Sequence, residues 1–346
     1  MNPKQFLALG TTSEPMITAT AARVRAMQPP PALWIVTSEM LVAQTKHLVP
    51  DATVIAEPIG RNTAPSIGLA AAVAAKTNPE AVLVILPADH AVANPDTLRS
   101  VLGSAVSLAR QRDVLVTIGI APTFPHTGYG YIQRGAPLGG SPGWFEVRHF
   151  FEKPNLERAQ AYCDSGDFLW NSGMFAFRAS VVLAAIEEYL PALGEGLRTI
   201  QRAWGTPRQD QVLKEVFPTL ESISIDVGVL EHVKNRALVE AKDFGWNDVG
   251  SWDAWAEQFP TDARGNVCSG DVLAIDSESC IVRVEAYRMA DDGRPESGRR
   301  LVALLGVSDL VVIDSGDALL ICPRSRVQEV KKVVDALRTE GRSELV

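Results

Sequence analysis

Through the first part of the chain, short apolar runs alternate with longer stretches in which apolar residues recur at helical spacing. Leu33 to Val36, Thr53 to Ala56, Ala81 to Leu86 and Val114 to Ile118 predict strands, while Pro15 to Met27, Ser38 to Leu48, Thr63 to Lys76 and Pro95 to Arg110 predict helices. Near-continuous apolar strands alternating with helices predict a mostly parallel sheet covered on both faces, the doubly wound α/β class. Ligands of such sheets bind beyond the carboxyl ends of the strands. Glu57, Asp89, Gly119 and the loop Thr123 to Gly130 each follow an apolar run, so they share one expected rim.

Farther along, Val181 to Phe217 reads as helical with breaks at Pro191, Gly205 to Pro207 and Pro218. Ile223 to Asp226 then reads as a strand, Val229 to Val233 as a helix and Ala237 to Ala241 as a strand. The pattern changes at the polar tract Thr261 to Asn266. Beyond it, Val272 to Ile275, Ile281 to Val284, Leu301 to Leu304 and Leu310 to Ile313 are short β-type runs broken by turn residues, with a helix expected over Gln328 to Leu337. These predict a small β-rich domain over 263–346 following an α/β domain over 1–262, with Asp291 to Arg300 as a hairpin tip.

Polar chemistry is densest between Phe150 and Phe177. The run Phe145 to Phe151 ends in Glu152, Lys153 and Pro154, so a strand end delivers a carboxylate and an ammonium where the proline stops pairing. Asn155 is placed to cap a helix over Leu156 to Ser165. The next run, Phe168 to Phe177, carries Trp170, Asn171, Ser172 and Gly173, and a glycine inside a strand marks a close approach. Two readings stand at this point: a grip on a phosphorylated, hydroxyl-rich molecule, or an edge hairpin with a surface ion pair.

Composition narrows the partners. With 346 residues, 46% hydrophobic and 21% charged, the chain is globular, and a formal charge of -8 argues against nucleic acid or an anionic membrane as partner. Any phosphate site must be local. Cys163, Cys268, Cys280 and Cys322 have no disulfide-framework or metal spacing, which suits a reducing cytoplasm. The five histidines form no metal-ligand pattern, no leader opens the chain, and no apolar run approaches membrane-spanning length.

Phe151-Glu152-Lys153-Pro154, followed by Trp170-Asn171-Ser172-Gly173-Met174-Phe175, resembles the mannose-1-phosphate guanylyltransferases, also called GDP-mannose pyrophosphorylases. Further matches come in the same order: Glu57-Pro58 with Gly60 to Pro65, Pro87 to His90, Gly128 to Ile132, Ser224 to Asp226 and Asn247 to Trp252. The resemblance implies a Rossmann-like nucleotide-diphospho-sugar transferase fold with a β-helix-like unit behind it. It also implies the reaction of GTP with α-D-mannose 1-phosphate to give GDP-mannose and pyrophosphate. A sugar phosphate is already an anionic nucleophile at neutral pH, so such a site must supply alignment and positive charge more than acid or base.

By the same resemblance Asp89 and Asp248 hold Mg²⁺, Lys153 holds the sugar phosphate, and Glu152 accepts bonds from sugar hydroxyls with help from Asn171, Gly130 and Tyr129. Glu57, Arg61, Asn62 and Thr63 fall on the side of the nucleotide base, Lys4 is a phosphate ligand, and Asp226 is a weaker metal or structural candidate. For His90 and His126, loop roles are favoured over direct chemistry. A homodimer is compatible with the resemblance. Family members begin with a strand and the loop Gly-Gly-x-Gly-Thr-Arg-Leu-Trp-Pro before Pro-Lys-Gln-Phe, whereas the sequence starts at Pro3-Lys4-Gln5-Phe6 in that pattern. A slot between two central strands, or a nucleotide site open to solvent, is therefore expected, with poor activity in this form. The other readings are a non-catalytic homologue that binds sugar phosphate or a partner subunit, and a transferase for another sugar 1-phosphate. Isomerase activity is not expected, because the metal-binding barrel of bifunctional forms has no match.

Overall fold

The computed structural model describes residues 3–9, 14–284 and 300–342. Two compact units divide the chain: Ile17–Trp246, and Met1–Met16 with Asn247–Val346. In chain order the elements up to the second unit are α1 (Met16–Arg25), β1 (Trp34–Ser38), α2 (Val42–Leu48), β2 (Thr53–Glu57), α3 (Thr63–Thr77), β3 (Val82–Ile85), the short β4 (Ala91–Val92), α4 (Pro95–Gln111) and β5 (Leu115–Ile120). They continue with β6 (Tyr131–Pro137), β7 (Trp144–Phe151), α5 (Leu156–Ser165), β8 (Phe168–Arg178), α6 (Ala179–Tyr189), α7 (Pro191–Ala203), α8 (Gln209–Val216), β9 (Arg236–Glu240) and the short β10 (Trp246–Asn247).

The expected α/β architecture is present, with a sheet that is mixed. Six strands run in the order β3-β8-β5-β9-β7-β6. β5 and β9 pair in parallel, whereas β8 runs antiparallel to both β3 and β5, and β7 runs antiparallel to β9 and β6. Parallel order is interrupted because β8 returns through a short helix into the middle of the sheet. Alternation of side chains serves two cores. On one face Leu115, Phe175, Phe177 and Leu238 meet α3, α6, α7 and α8 through Leu69, Ile186, Leu197 and Leu213. On the other, Val116, Ile118, Ala176 and Val239 meet α4 through Leu98, Leu102 and Leu108. Strands apolar on both faces are the sequence consequence of that double cover.

β1 and β2 form a separate parallel pair, in register from Trp34 opposite Thr53 to Ser38 opposite Glu57. Trp34 and Val36 pack on the same cluster as Leu83 and Ile85, while Leu33 joins Val82 and Val84 on the other. β1 and β3 therefore lie in one layer between the same two cores, yet no ladder joins them among the described residues.

Two local expectations change. Ser38 does not cap a helix; its side chain makes no capping bond, and a 3₁₀ turn over Glu39–Leu41 leads into α2. Ile223 to Asp226 is no strand, because its backbone bonds go to the amino end of α3: Ala64 N–H donates to Ile223 O at 3.1 Å, and Ile225 N–H donates to Thr63 Oγ1 at 2.9 Å. Asp226–Leu230 then forms a single π-helical turn.

In the second unit, α9 (Trp252–Ala256) precedes β11 (Val267–Ser269), β12 (Val272–Ile275), β13 (Ile281–Val284), β14 (Val302–Leu305), β15 (Leu310–Asp314), β16 (Leu319–Pro323) and α10 (Val330–Thr339). β11, β13 and β15 stack in parallel, as do β12 and β14, and Glu278 bridges Ser308 in parallel. Each side of a coil thus repeats on the next, around a core of Cys280, Val282, Leu304 and Val312. Corners fall at residues with positive φ, Asp276, Ser279 and Asp309. β11 and β16 are too short or too exposed on alternate positions to stand out in the sequence. The tip expected over Asp291 to Arg300 lies, but for Arg300, outside the described residues. No helix among the described residues is long and apolar enough to cross a membrane.

Candidate active site

Register places the densest polar stretch in one corner of the larger unit. Tyr131 lies opposite both Phe151 and Trp170, so Gly130, Glu152 and Asn171 come together at adjoining strand ends. Glu152 Oε1 and Lys153 Nζ form an ion pair at 2.8 Å, with Lys153 at positive φ just past the end of β7. The hydrogen-bonded Glu152 carboxylate holds the Lys153 ammonium above its ordinary pKa. Lys153 remains largely exposed while Glu152 is mostly covered, so the cation is the outer member of the pair. A Cβ at Gly130 would stand 2.7 Å from Glu152 Oε2 and 3.2 Å from the Asn171 Cβ. Both side chains pack directly against Gly130, so a residue with a Cβ there would force one of them to move.

Asn171 owes its setting to a bulge in β8. Pairing with β5 jumps from Thr117 opposite Phe175 to Gly119 opposite Asn171. Ser172 stitches the interruption, its hydroxyl donating to Ile118 O at 2.8 Å and accepting from Met174 N–H at 3.2 Å, while Gly173 takes φ +68. Bulges of this kind re-aim a side chain next to a site. The Asn171 carboxamide donates from Nδ2 to Asp226 Oδ1 at 2.8 Å, and its Oδ1 accepts from Thr117 Oγ1 at 3.1 Å and from Gly173 N–H at 3.2 Å. Withdrawal from water, then the Glu152 carboxylate, push the Asp226 carboxyl up to about 6 against the opposing Asn171 bond.

The turn after β3 comes next to this bulge. A Cβ at Gly173 would lie 3.5 Å from Pro87 and 3.9 Å from His90, so the turn that carries Asp89 packs along the edge of the asparagine motif. Asp89 is half-buried there. His90 Nδ1 accepts the Trp246 indole N–H at 3.1 Å. Tyr129 stacks on His126 with centroids 3.7 Å apart and meets Trp170 and Trp246 edge-on. Both histidines are thus engaged as loop and ring partners.

At the amino end of α3, Glu57 is buried and accepts from the Ser66 hydroxyl, and desolvation raises its pKa. Asn62, at φ +67, caps α3 by accepting Thr63 N–H at 2.8 Å. Thr63 receives Ile225 N–H, and Arg61 Nη2 donates to Pro218 O while its Nε is buried without a hydrogen bond. Arg61 and Thr63 thus tie the turn to Pro218 and Ile225, whereas Glu57 and Asn62 bond within it.

In the other unit, Lys4 Nζ donates to the main-chain oxygen of Asp248. Asp248 Oδ1 accepts Gly250 N–H at 3.0 Å, and Asn247 Oδ1 accepts Val249 N–H at 2.7 Å with Val249 at φ +51. The Asn-Asp-Val-Gly-Ser stretch is therefore a tight Asx-type turn whose last residue, Ser251, caps α9. Among the described residues no three His, Cys, Asp or Glu side chains converge as a metal cage.

Residues 1–265 match the family described as nucleotidyl transferase, and residues 270–337 match the MannoseP isomerase/GMP-like beta-helix domain. The chain belongs to the nucleotidyl transferase family. Its relatives include the mannose-1-phosphate guanylyltransferase of Escherichia coli strain K12, 39% identical over 99% of this chain and 70% of the relative. The xanthan biosynthesis protein XanB of Xanthomonas campestris pv. campestris strain B100 is 37% identical over 99% and 70%. A crystal structure from Thermus thermophilus, named a mannose-1-phosphate geranyltransferase, superposes with a TM-score of 0.82 at 33% identity, covering 97% of this chain and 92% of that one.

For a nucleotidyl transferase the instructive omissions are Thr117 and the rank of Asp226. Thr117 is the one hydroxyl in the buried strand Leu115–Ile120, and a lone polar residue in an apolar strand was the available signal. Asp226 stood out only as part of Ser224-Ile225-Asp226. Neither could be joined to Asn171 without the fold.

Proposed function

We propose that this nucleotidyl transferase makes GDP-mannose and pyrophosphate from GTP and mannose 1-phosphate. The observation that carries the reading is the corner formed by Glu152, Lys153 and Asn171 packed against Gly130, where an exposed ammonium adjoins acceptors and an amide suited to a hydroxyl-rich ring. The names of the relatives in Escherichia coli and Thermus thermophilus support mannose 1-phosphate as the sugar. Lys153 holds the sugar phosphate as a point charge, Glu152 accepts from ring hydroxyls, and Asn171 donates to them, with Tyr129 walling the ring. A phosphate oxygen of the sugar phosphate forms the new bond to the α-phosphorus of GTP. The bond from that phosphorus to the bridging oxygen breaks, and pyrophosphate leaves with the electron pair. Glu57, Arg61, Asn62 and Thr63 are assigned to the base side through the turn they hold, and Lys4 to phosphate.

Asp89 and Asp248 are each assigned as a carboxylate ligand for Mg²⁺ brought with the nucleotide. This ion takes one or two carboxylates and otherwise phosphate oxygens and water, a donor set that single aspartates together with a nucleotide would supply. When bound, Mg²⁺ would neutralise phosphate charge. The four free cysteines support a reducing, cytoplasmic setting.

The test is to incubate the full chain with Mg²⁺, an equimolar pair of GTP and ATP, and mannose 1-phosphate with glucose 1-phosphate, then weigh the products. GDP-mannose as the main product is expected. A different nucleotide sugar, or none, overturns the assignment.

A further inference from the structure

The carboxamide of Asn171 is the most tightly specified polar group in the corner. Its orientation follows from chemistry alone: Gly173 N–H and the Thr117 hydroxyl both donate to one atom, so that atom is the oxygen, and the carboxylate of Asp226 accepts from the other, which is the nitrogen. Reversing the amide would set its NH₂ against the Gly173 N–H donor and its oxygen against the Asp226 carboxylate. The two anchors come from separate elements, Thr117 from the centre of β5 and Asp226 from the π-helical turn, and Thr117 is fully buried. An amide nitrogen carries two hydrogens, and Asp226 takes one.

We propose that Thr117 and Asp226 are positioning residues for sugar recognition: they lock the Asn171 carboxamide so that its second Nδ2 hydrogen serves a hydroxyl of a pyranosyl 1-phosphate. The inference rests on the reading of this corner as the sugar-phosphate site. It differs from a metal role for Asp226 in that Oδ1 of the carboxylate accepts from the amide, with the Glu152 carboxylate and the Lys153 ammonium as its charged neighbours. A locked amide discriminates among hydroxyl arrangements, since a group that cannot turn leaves a mismatched ring with an unpaired polar atom.

The experiment measures binding of mannose 1-phosphate and of GTP by calorimetry, and steady-state KM and kcat, for wild type, Thr117→Val, Thr117→Ser, Asp226→Leu and Asp226→Asn. Thr117→Val keeps the volume and removes the donor. Mannose 1-phosphate affinity should fall about tenfold in Thr117→Val and Asp226→Leu, with GTP affinity changed less than twofold. Thr117→Ser and Asp226→Asn, which keep a donor and an acceptor, should recover most of the loss. A purely structural role would lower the active fraction, and so kcat, without moving the ratio of the two affinities. If Asp226→Leu fails to fold, Thr117→Val decides. Wild type binding mannose 1-phosphate with Thr117→Val equal to it overturns the inference and leaves the site reading intact. Wild type binding no sugar 1-phosphate overturns both.

Discussion

The corner at the ends of β7 and β8 and the amino end of α3 both gather polar side chains beside an apolar core, and they use them in opposite ways. Around Glu152, the ammonium of Lys153 is exposed, and a glycine lets Glu152 and Asn171 approach its backbone closely. Around Thr63, the capping amide bonds within the turn, while the Thr63 hydroxyl and an arginine nitrogen bond to Ile225 and Pro218 and hold that segment in place. That segment runs directly into Asp226, so the inward-looking corner builds the floor of the outward-looking one. A cluster of donors in a sequence therefore says little about ligands until their bonds have been followed.

The comparison is sharpened most by residues outside both corners. Asp89→Asn and Asp248→Asn are each expected to lower kcat about a thousandfold while mannose 1-phosphate affinity changes little, because their assigned work is on the phosphates of the nucleotide. Stopped-flow or coupled pyrophosphate release checks this, and near-normal turnover in either variant removes that residue from the assignment. Second in size is the pH effect at the floor. Asp226 sits at about 6 against an ordinary 3.8, so the folded state binds the extra proton between these values. Its contribution to stability is fully present below about pH 4 and is lost as pH rises through about 6, by at most about 3 kcal/mol. Asp226→Asn should flatten denaturant midpoints over that window; an unchanged slope would show that Asp226 does not titrate there.

Next, Lys153→Ala should weaken mannose 1-phosphate binding about a hundredfold, a little under 3 kcal/mol, and GTP binding far less. Equal losses for both ligands would erase the distinction between the corners. The smallest effect belongs to the other corner: Thr63→Val removes the acceptor of Ile225 N–H and should cost about 1 kcal/mol in chemical denaturation, with mannose 1-phosphate affinity within twofold. A large loss of sugar-phosphate affinity in Thr63→Val would mean that the two corners are coupled more tightly than their bonding indicates.

Much of this protein was legible from local pattern. Leu156–Ser165 forms the expected helix, capped by Asn155 accepting Arg158 N–H, because a capping side chain and the backbone it satisfies are three residues apart. The alternation of strands and helices up to β5 was equally visible, since burial on both faces leaves continuous apolar runs. Glu152 and Lys153 announced themselves as charges at a strand end. What pattern could not supply was pairing between distant segments. Asn171 meets Thr117 across 54 residues and Asp226 across 55, through a bulge and a π-helical turn that carry no periodicity of their own. The same limit explains Ile223 to Asp226, whose apolar residues fit a strand but whose backbone bonds are claimed by the amino end of α3. Local periodicity reports which side of an element is buried; which partner its backbone and polar groups find depends on register and topology, and these exist only once the chain has folded.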